Sequence, residues 1–99
     1  MTAIVEINGQ TGRLLLSGQF DFSAHRDFRQ ACDELLGSEA VREILIDFGQ
    51  VDYLDSSALG MLLLLKEKAA GRQLALINCR DTVRQVLEIA CFGKIFTIR

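Results

Sequence analysis

The sequence predicts an α/β fold: one mixed β-sheet with three flanking helices, in the order β-β-α-β-α-β-α-β. Three observations predict it. An alternating stretch, Thr2 to Ile7, and a returning apolar one, Arg13 to Ser17, flank a turn that opens on Asn8-Gly9, the strongest short hairpin signal. Short apolar runs of strand length recur at Glu43–Phe48 and Leu74–Asn78. Between and after them lie three stretches whose apolar residues repeat at helical spacing. Strands alternating with helices imply right-handed crossovers and a mostly parallel sheet. The hairpin adds an antiparallel edge.

Taken in order, Thr2 to Ile7 alternates, with Ala3, Val5 and Ile7 on one face. Asn8 to Gly12 is the turn and Arg13 to Ser17 the returning strand. Ser23 reads as an N-cap, because its hydroxyl can accept from the unpaired N–H groups of a first turn. Ala24, Phe28, Ala31, Cys32, Leu35 and Leu36 then form one helical stripe, which Gly37 ends at C′. Val41 to Phe48 is the third strand. Its centre, Ile44-Leu45-Ile46, does not alternate, which predicts cover on both faces. The second helix follows Asp55. On its wheel Ala58, Met61, Leu62, Leu65 and Ala69 share one side. Gly60 and Glu67 lie opposite, Leu64 on that outer side and Leu63 at its margin. Leu74 to Asn78 is a fourth strand, again apolar on both faces. Asp81 or Thr82 caps a third helix, Gly93 closes it, and Ile95, Phe96 and Ile98 make a last short strand. The predicted core includes Phe28, Leu35, Ile44, Ile46, Leu62, Leu76, Ile77 and Val86.

Composition narrows the function. With 99 residues the chain is one domain over 1–99, long enough for one core and too short for two. Hydrophobic residues are 49% of it, so it folds. The longest apolar run, Met61–Leu65, is far below the ~20 residues of a membrane span. No basic leader opens the chain, so a cytoplasmic protein is expected. A net charge of −2 offers no footprint for nucleic acid and none for a membrane surface. Cys32, Cys79 and Cys91 are widely spaced and His25 is the single histidine, so no metal site is expected. The cysteines read as small core residues and His25 as a solvated surface residue.

The rest of the chain is organised around Val51 to Gly60. There a strand, then a loop, delivers the chain into a helix N-terminus at Asp55-Ser56-Ser57. Asp and Ser are preferred at an N-cap, and capping alone accounts for one of them. Three features exceed a cap. Two aspartates and two serines are more oxygens than one terminus uses. Gly60 inside the first helical turn costs roughly 0.5–1 kcal/mol relative to Ala, which suggests a close approach. Ala58 to Leu65 is apolar all round except at Gly60, more than one core-facing stripe requires. Together they suggest a modifiable docking site.

Asp55-Ser56-Ser57-Ala58-Leu59-Gly60 resembles the Asp-Ser-Ser-Gly/Ala-Leu-Gly signature of the STAS domain, in particular of bacterial anti-sigma factor antagonists. Leu16-Ser17-Gly18-Gln19-Phe20-Asp21 resembles that family's second motif, a strand ending in Gly-x-Phe/Leu-Asp. The resemblance spans essentially the whole chain. It implies a non-enzymatic switch without a cofactor. The unphosphorylated protein would bind a GHKL-type serine kinase that also serves as anti-sigma factor. Phosphorylation of Ser56 would break that complex, and a PP2C-type serine phosphatase would restore it. ATP belongs to the partner. In this picture Asp55 orients Ser56, Ser57 is the neighbouring hydroxyl, and Asp21 sits near the same helix terminus. Ser56, Gly60 and Leu64 mark the partner-binding face. Ser57, one residue deeper, is expected to bond backbone.

Other classes fit less well. Ser56 is not in a nucleophile elbow, and no Gly-rich phosphate loop is present. Asp47, Asp52 and Asp55 lie close in sequence, but acids before a helix are common without an ion. A phospho-aspartate receiver needs an acidic pair after its first strand, where Asn8-Gly9 stands. The alternative from another class is a STAS scaffold or sensor module controlling a non-sigma output such as motility, secretion or biofilm formation.

Overall fold

The structure is a computed structural model describing residues 1–99. Five strands form one sheet: β1 (Thr2–Asn8), β2 (Thr11–Phe20), β3 (Glu43–Leu54), β4 (Gln73–Ile77) and β5 (Thr97–Ile98). Three helices connect them: α1 (His25–Leu36), α2 (Ser56–Lys68) and α3 (Asp81–Ile89). The strands stand side by side in chain order. β1 and β2 are antiparallel, and every later pairing is parallel. This is the predicted mixed sheet with an antiparallel edge. The hairpin turn is tighter than expected: Asn8 already pairs with Thr11, leaving Gly9 and Gln10 as the loop. Gly9 has φ 63°, which a two-residue turn requires at its first position.

One core gathers Leu14, Leu16, Ile44, Ile46 and Leu76 from the sheet with Phe28 and Leu35 of α1, Leu62 of α2 and Leu87 of α3. Leu15, Leu45, Ala75 and Ile77 stand outside it. The helices therefore cover one face, and the cover on both faces expected for β3 and β4 is absent. The non-alternating runs mislead because central strands shield even uncovered side chains. Leu45 and Ile77 are half-buried by their cross-strand neighbours. Val86 is also only half-buried.

Several local expectations need correction. A 3₁₀ turn, Phe22–Ala24, precedes α1. Its cap is Asp21, whose carboxylate accepts from Ser23, so Ser23 donates and does not cap. Gly37 ends α1 in a right-handed conformation, φ −73°, as C-cap. α3 has no side-chain cap from Asp81 or Thr82; its N-cap is Arg80. α3 ends at Ile89, and the left-handed residue after it is Cys91, φ 60°, with Gly93 in a following 3₁₀ turn. That turn shortens the last strand to Thr97–Ile98 and leaves Phe96 in the core. It also exposes Cys91, against the core role expected for it. Cys32 and Cys79 are buried, and burial pushes their thiols up to about 12 and about 11, so both stay protonated at neutral pH.

β3 is longer than its apolar run, and this extension carries the site. Its pairing with β2 slips twice: Leu15 faces Asp47 but Ser17 faces Gln50, and Gly18 faces Val51 but Gln19 faces Tyr53. Each slip adds one residue to β3, which bends and twists a strand. Asp47 fixes the first slip from the uncovered face. It is 8% exposed and accepts from Arg13, from Asn78 Nδ2 (2.9 Å) and from Gly49 N–H (2.8 Å). A Cβ at Gly49 would stand 3.1 Å from Asp47 Oδ1, so the bulge suits glycine. Burial raises the Asp47 carboxyl, but the bonds from Asn78, Arg13 and Gly49 outweigh it and hold it below the usual range. A depressed folded pKa stabilises the protein above the unfolded value, and that stability is lost as pH falls through the folded one. Asp47→Ala should cost about 1–3 kcal/mol at pH 7, since it removes three hydrogen bonds to one ionised carboxylate whose donors are partly exposed. The gap to the parent protein should narrow as pH drops below roughly 4. Urea unfolding of both proteins at pH 7 and pH 3 checks this. An unchanged gap would show that the ionised carboxylate is not the cause.

Candidate functional site

The site is the end of the sheet where β3 hands the chain to α2. No loop intervenes: β3 runs to Leu54, and Asp55 is the N-cap. Asp55 is extended, φ −114° and ψ −178°, and its Oδ1 accepts from Ala58 N–H at 3.1 Å. This is the third helical residue, the usual partner of a cap. Asp55 thus fixes the helix terminus and makes no bond to the Ser56 hydroxyl.

Ser56 is exposed at the mouth of α2, and Ser57 is half-buried. Neither hydroxyl bonds another group of the protein, so the backbone bond expected of Ser57 is not made. A serine hydroxyl inside a helix bonds the carbonyl three or four residues back, and at Ser57 those residues, Leu54 and Tyr53, still belong to β3. Exposure, not hydrogen bonding, separates the two serines.

Asp21 comes to the same end through the sheet. Phe20 pairs with Leu54, and Asp55 N–H donates to Phe20 O at 3.3 Å, so Asp21 and Asp55 leave neighbouring strands side by side. The Asp21 carboxylate faces its own turn, accepting from Ser23 Oγ (2.6 Å) and Ser23 N–H (3.0 Å). These bonds hold it below the usual carboxylate range. Asp47 lies elsewhere, on the uncovered face with Arg13 and Asn78, so the sequence cluster Asp47, Asp52, Asp55 is not a spatial one.

α2 buries Ala58, Leu62 and Leu65 and presents the opposite side to solvent. Gly60 is exposed, and a Cβ there would meet nothing within 4 Å. It is the fifth residue of α2, one place beyond the first turn where the pattern put it. Leu64 is 48% exposed and Leu63 42%. The structure thus places Ser56, Gly60 and Leu64 on the solvent side of one helix. It adds Phe22, which sequence reading missed and which is 76% exposed directly after Asp21. The available signal was an aromatic outside every periodic stripe.

This frame of hairpin, parallel strands and capped α2 is matched by a family model described as "Mlab, STAS domain" over residues 4–97. The chain belongs to the STAS domain family. A STAS-domain containing protein of Pseudomonas aeruginosa (strain UCBPP-PA14) is 42% identical over 100 residues, covering 99% of this chain and 97% of that protein. Among solved STAS folds, an anti-sigma factor antagonist from Mycobacterium paratuberculosis superposes with TM-score 0.88 at 20% identity, covering 98% of this chain and 83% of that one. The anti-sigma factor antagonist SpoIIAA in its unphosphorylated form gives 0.74 at 23%, covering 99% and 87%. SpoIIAA of Bacillus in the phosphorylated form gives 0.72 at 24%, covering 99% and 91%. The fold of this STAS domain is that of anti-sigma factor antagonists. No helix of it is long and apolar enough to cross a membrane.

Proposed function

We propose that this protein is an anti-sigma factor antagonist that works by partner switching. Unphosphorylated, it binds a GHKL-type serine kinase acting as anti-sigma factor. Phosphorylated on Ser56 it is released, and a PP2C-type phosphatase resets it. The observation that carries the reading is an exposed Ser56 with a free hydroxyl, on the same solvent side of α2 as an open Gly60 and an exposed Leu64. The existence of SpoIIAA in both an unphosphorylated and a phosphorylated form supports it.

Each residue has one role in this reading. Ser56 Oγ attacks the γ-phosphorus of the kinase's ATP, its proton passes to a base of the kinase, and the bond to the bridging oxygen breaks, releasing ADP. Asp55 orients Ser56 by holding the helix terminus. Gly60 and Leu64 receive the partner. This chain supplies the acceptor and no catalytic group.

Phosphopeptide mapping after incubation with the co-purifying kinase and ATP tests the assignment. Phosphate on Ser56 alone is expected. Phosphate on Ser57 would move the switch one residue, and phosphate on neither would remove it. Higher-order homo-assembly without a bound kinase would favour the scaffold alternative.

A further inference from the structure

Beside the docking side of α2 lies a cleft between α1 and α2. Phe28, Met61 and Leu64 contribute its apolar surface, and five of its nine lining residues are hydrophobic. Its free volume is about 30 Å³. A single water needs roughly 10–15 Å³ on this measure, and small-molecule sites typically run to roughly 300–1,000 Å³. The cleft therefore has room for the tip of one side chain and no room for a metabolite.

Its rim is charged unevenly. Arg29 of α1 and Lys68 of α2 line it with one acid, Asp33. Neither cation is in an ion pair: the pairs of this protein are Arg13–Asp47, Arg84–Glu88 and Arg99–Glu43. Two free cations on a chain of net charge −2 make this cleft locally positive on a negative molecule. Leu64 belongs both to the cleft and to the solvent side that carries Gly60, so the two surfaces are continuous.

We infer that the kinase partner inserts one aliphatic side chain, borne on an acidic segment, between α1 and α2, with its carboxylates against Arg29 and Lys68. This rests on the docking reading above and extends it to a second contact. An apolar tip fills the small cleft, and opposite charge at the rim fixes its orientation and speeds encounter. Phosphorylation of Ser56 would then weaken one end of an interface whose other end is held by Arg29 and Lys68.

The test is titration of the purified co-purifying kinase against four proteins: the parent, Arg29→Glu/Lys68→Glu, Asp33→Asn and Gly60→Arg. All the altered residues are exposed, so circular dichroism should show folded proteins; if the double variant is unstable, Lys68→Glu alone carries the same sign. The double variant should bind at least tenfold more weakly, with a shallower salt dependence. Asp33→Asn should bind as well as the parent or better. If the double variant binds like the parent while Gly60→Arg does not bind, the cleft contact is wrong and the docking reading stands. If all four bind alike, both fall.

Discussion

Gly60→Arg is expected to abolish detectable binding of the proposed kinase partner and to leave the protein as stable as the parent or slightly more so. Both halves follow from the surroundings of Gly60. A Cβ there meets no heavy atom within 4 Å, so the arginine side chain projects into solvent without displacing anything. Gly60 is not among the positive-φ glycines, so a side chain adds no backbone strain. In a helix interior glycine is roughly 0.5–1 kcal/mol less favourable than alanine. Gly60→Ala should accordingly raise the melting temperature by a few degrees in a domain of this size. A sequence that keeps an avoidable helix-weakening residue on an exposed face is keeping room there. Arginine fills that room beside Leu64 and removes close contact between backbone and partner. Thermal melts and titration calorimetry on the alanine and arginine variants decide it. Should the melting temperature fall in both, Gly60 serves packing and the docking face must be sought elsewhere.

Ser56→Asp is expected to bind the proposed kinase at least tenfold more weakly than the parent, and Ser56→Ala to bind it whether or not ATP is present. The charge acts across the interface and not on the fold. A negative group at the mouth of α2 is favoured by the helix dipole by about 0.3–1 kcal/mol, and Asp21 and Asp55 nearby oppose it. Little rearrangement is expected. An added charge about 5 Å from a partner carboxylate, at an effective dielectric near 20, costs roughly 3 kcal/mol, or about a hundredfold in affinity. Aspartate carries one charge where phosphoserine carries roughly −1.5 to −2, so the substitution reports a lower bound. Equal affinity of the alanine and aspartate variants would show that charge at this position does not control binding.

The site was largely legible because its logic is local. Asp55 as cap, an outward Ser56 and an outward Gly60 all follow from where one helix starts and how its wheel turns. What escaped reading needed neighbours. Phe22 is exposed because a 3₁₀ turn capped by Asp21 separates β2 from α1, and a turn of three residues leaves no periodicity to detect. Ser57 makes no backbone bond because the residues three and four before it are strand and offer no helical carbonyl. The direct passage from β3 to α2 was hidden because Gly49-Gln50-Val51-Asp52 looks like a loop. It is strand because β2 pairs with it through two slips, the first pinned by Asp47.

By itself the sequence determined the order of the elements, the mixed sheet, the identity of the three helices and the capped terminus that presents Ser56. Each rests on periodicity or on side-chain chemistry within a few residues, which a single chain carries in full. Only the tertiary structure decided that the helices share one face, that Cys91 is outside, that Asp47 is a bulge clamp, and that α1 and α2 enclose a cleft. Those depend on which strands and helices meet across tens of residues: Asp47 bonds Asn78 and Arg13, and Leu64 and Phe28 line one cleft, arrangements that no local pattern encodes.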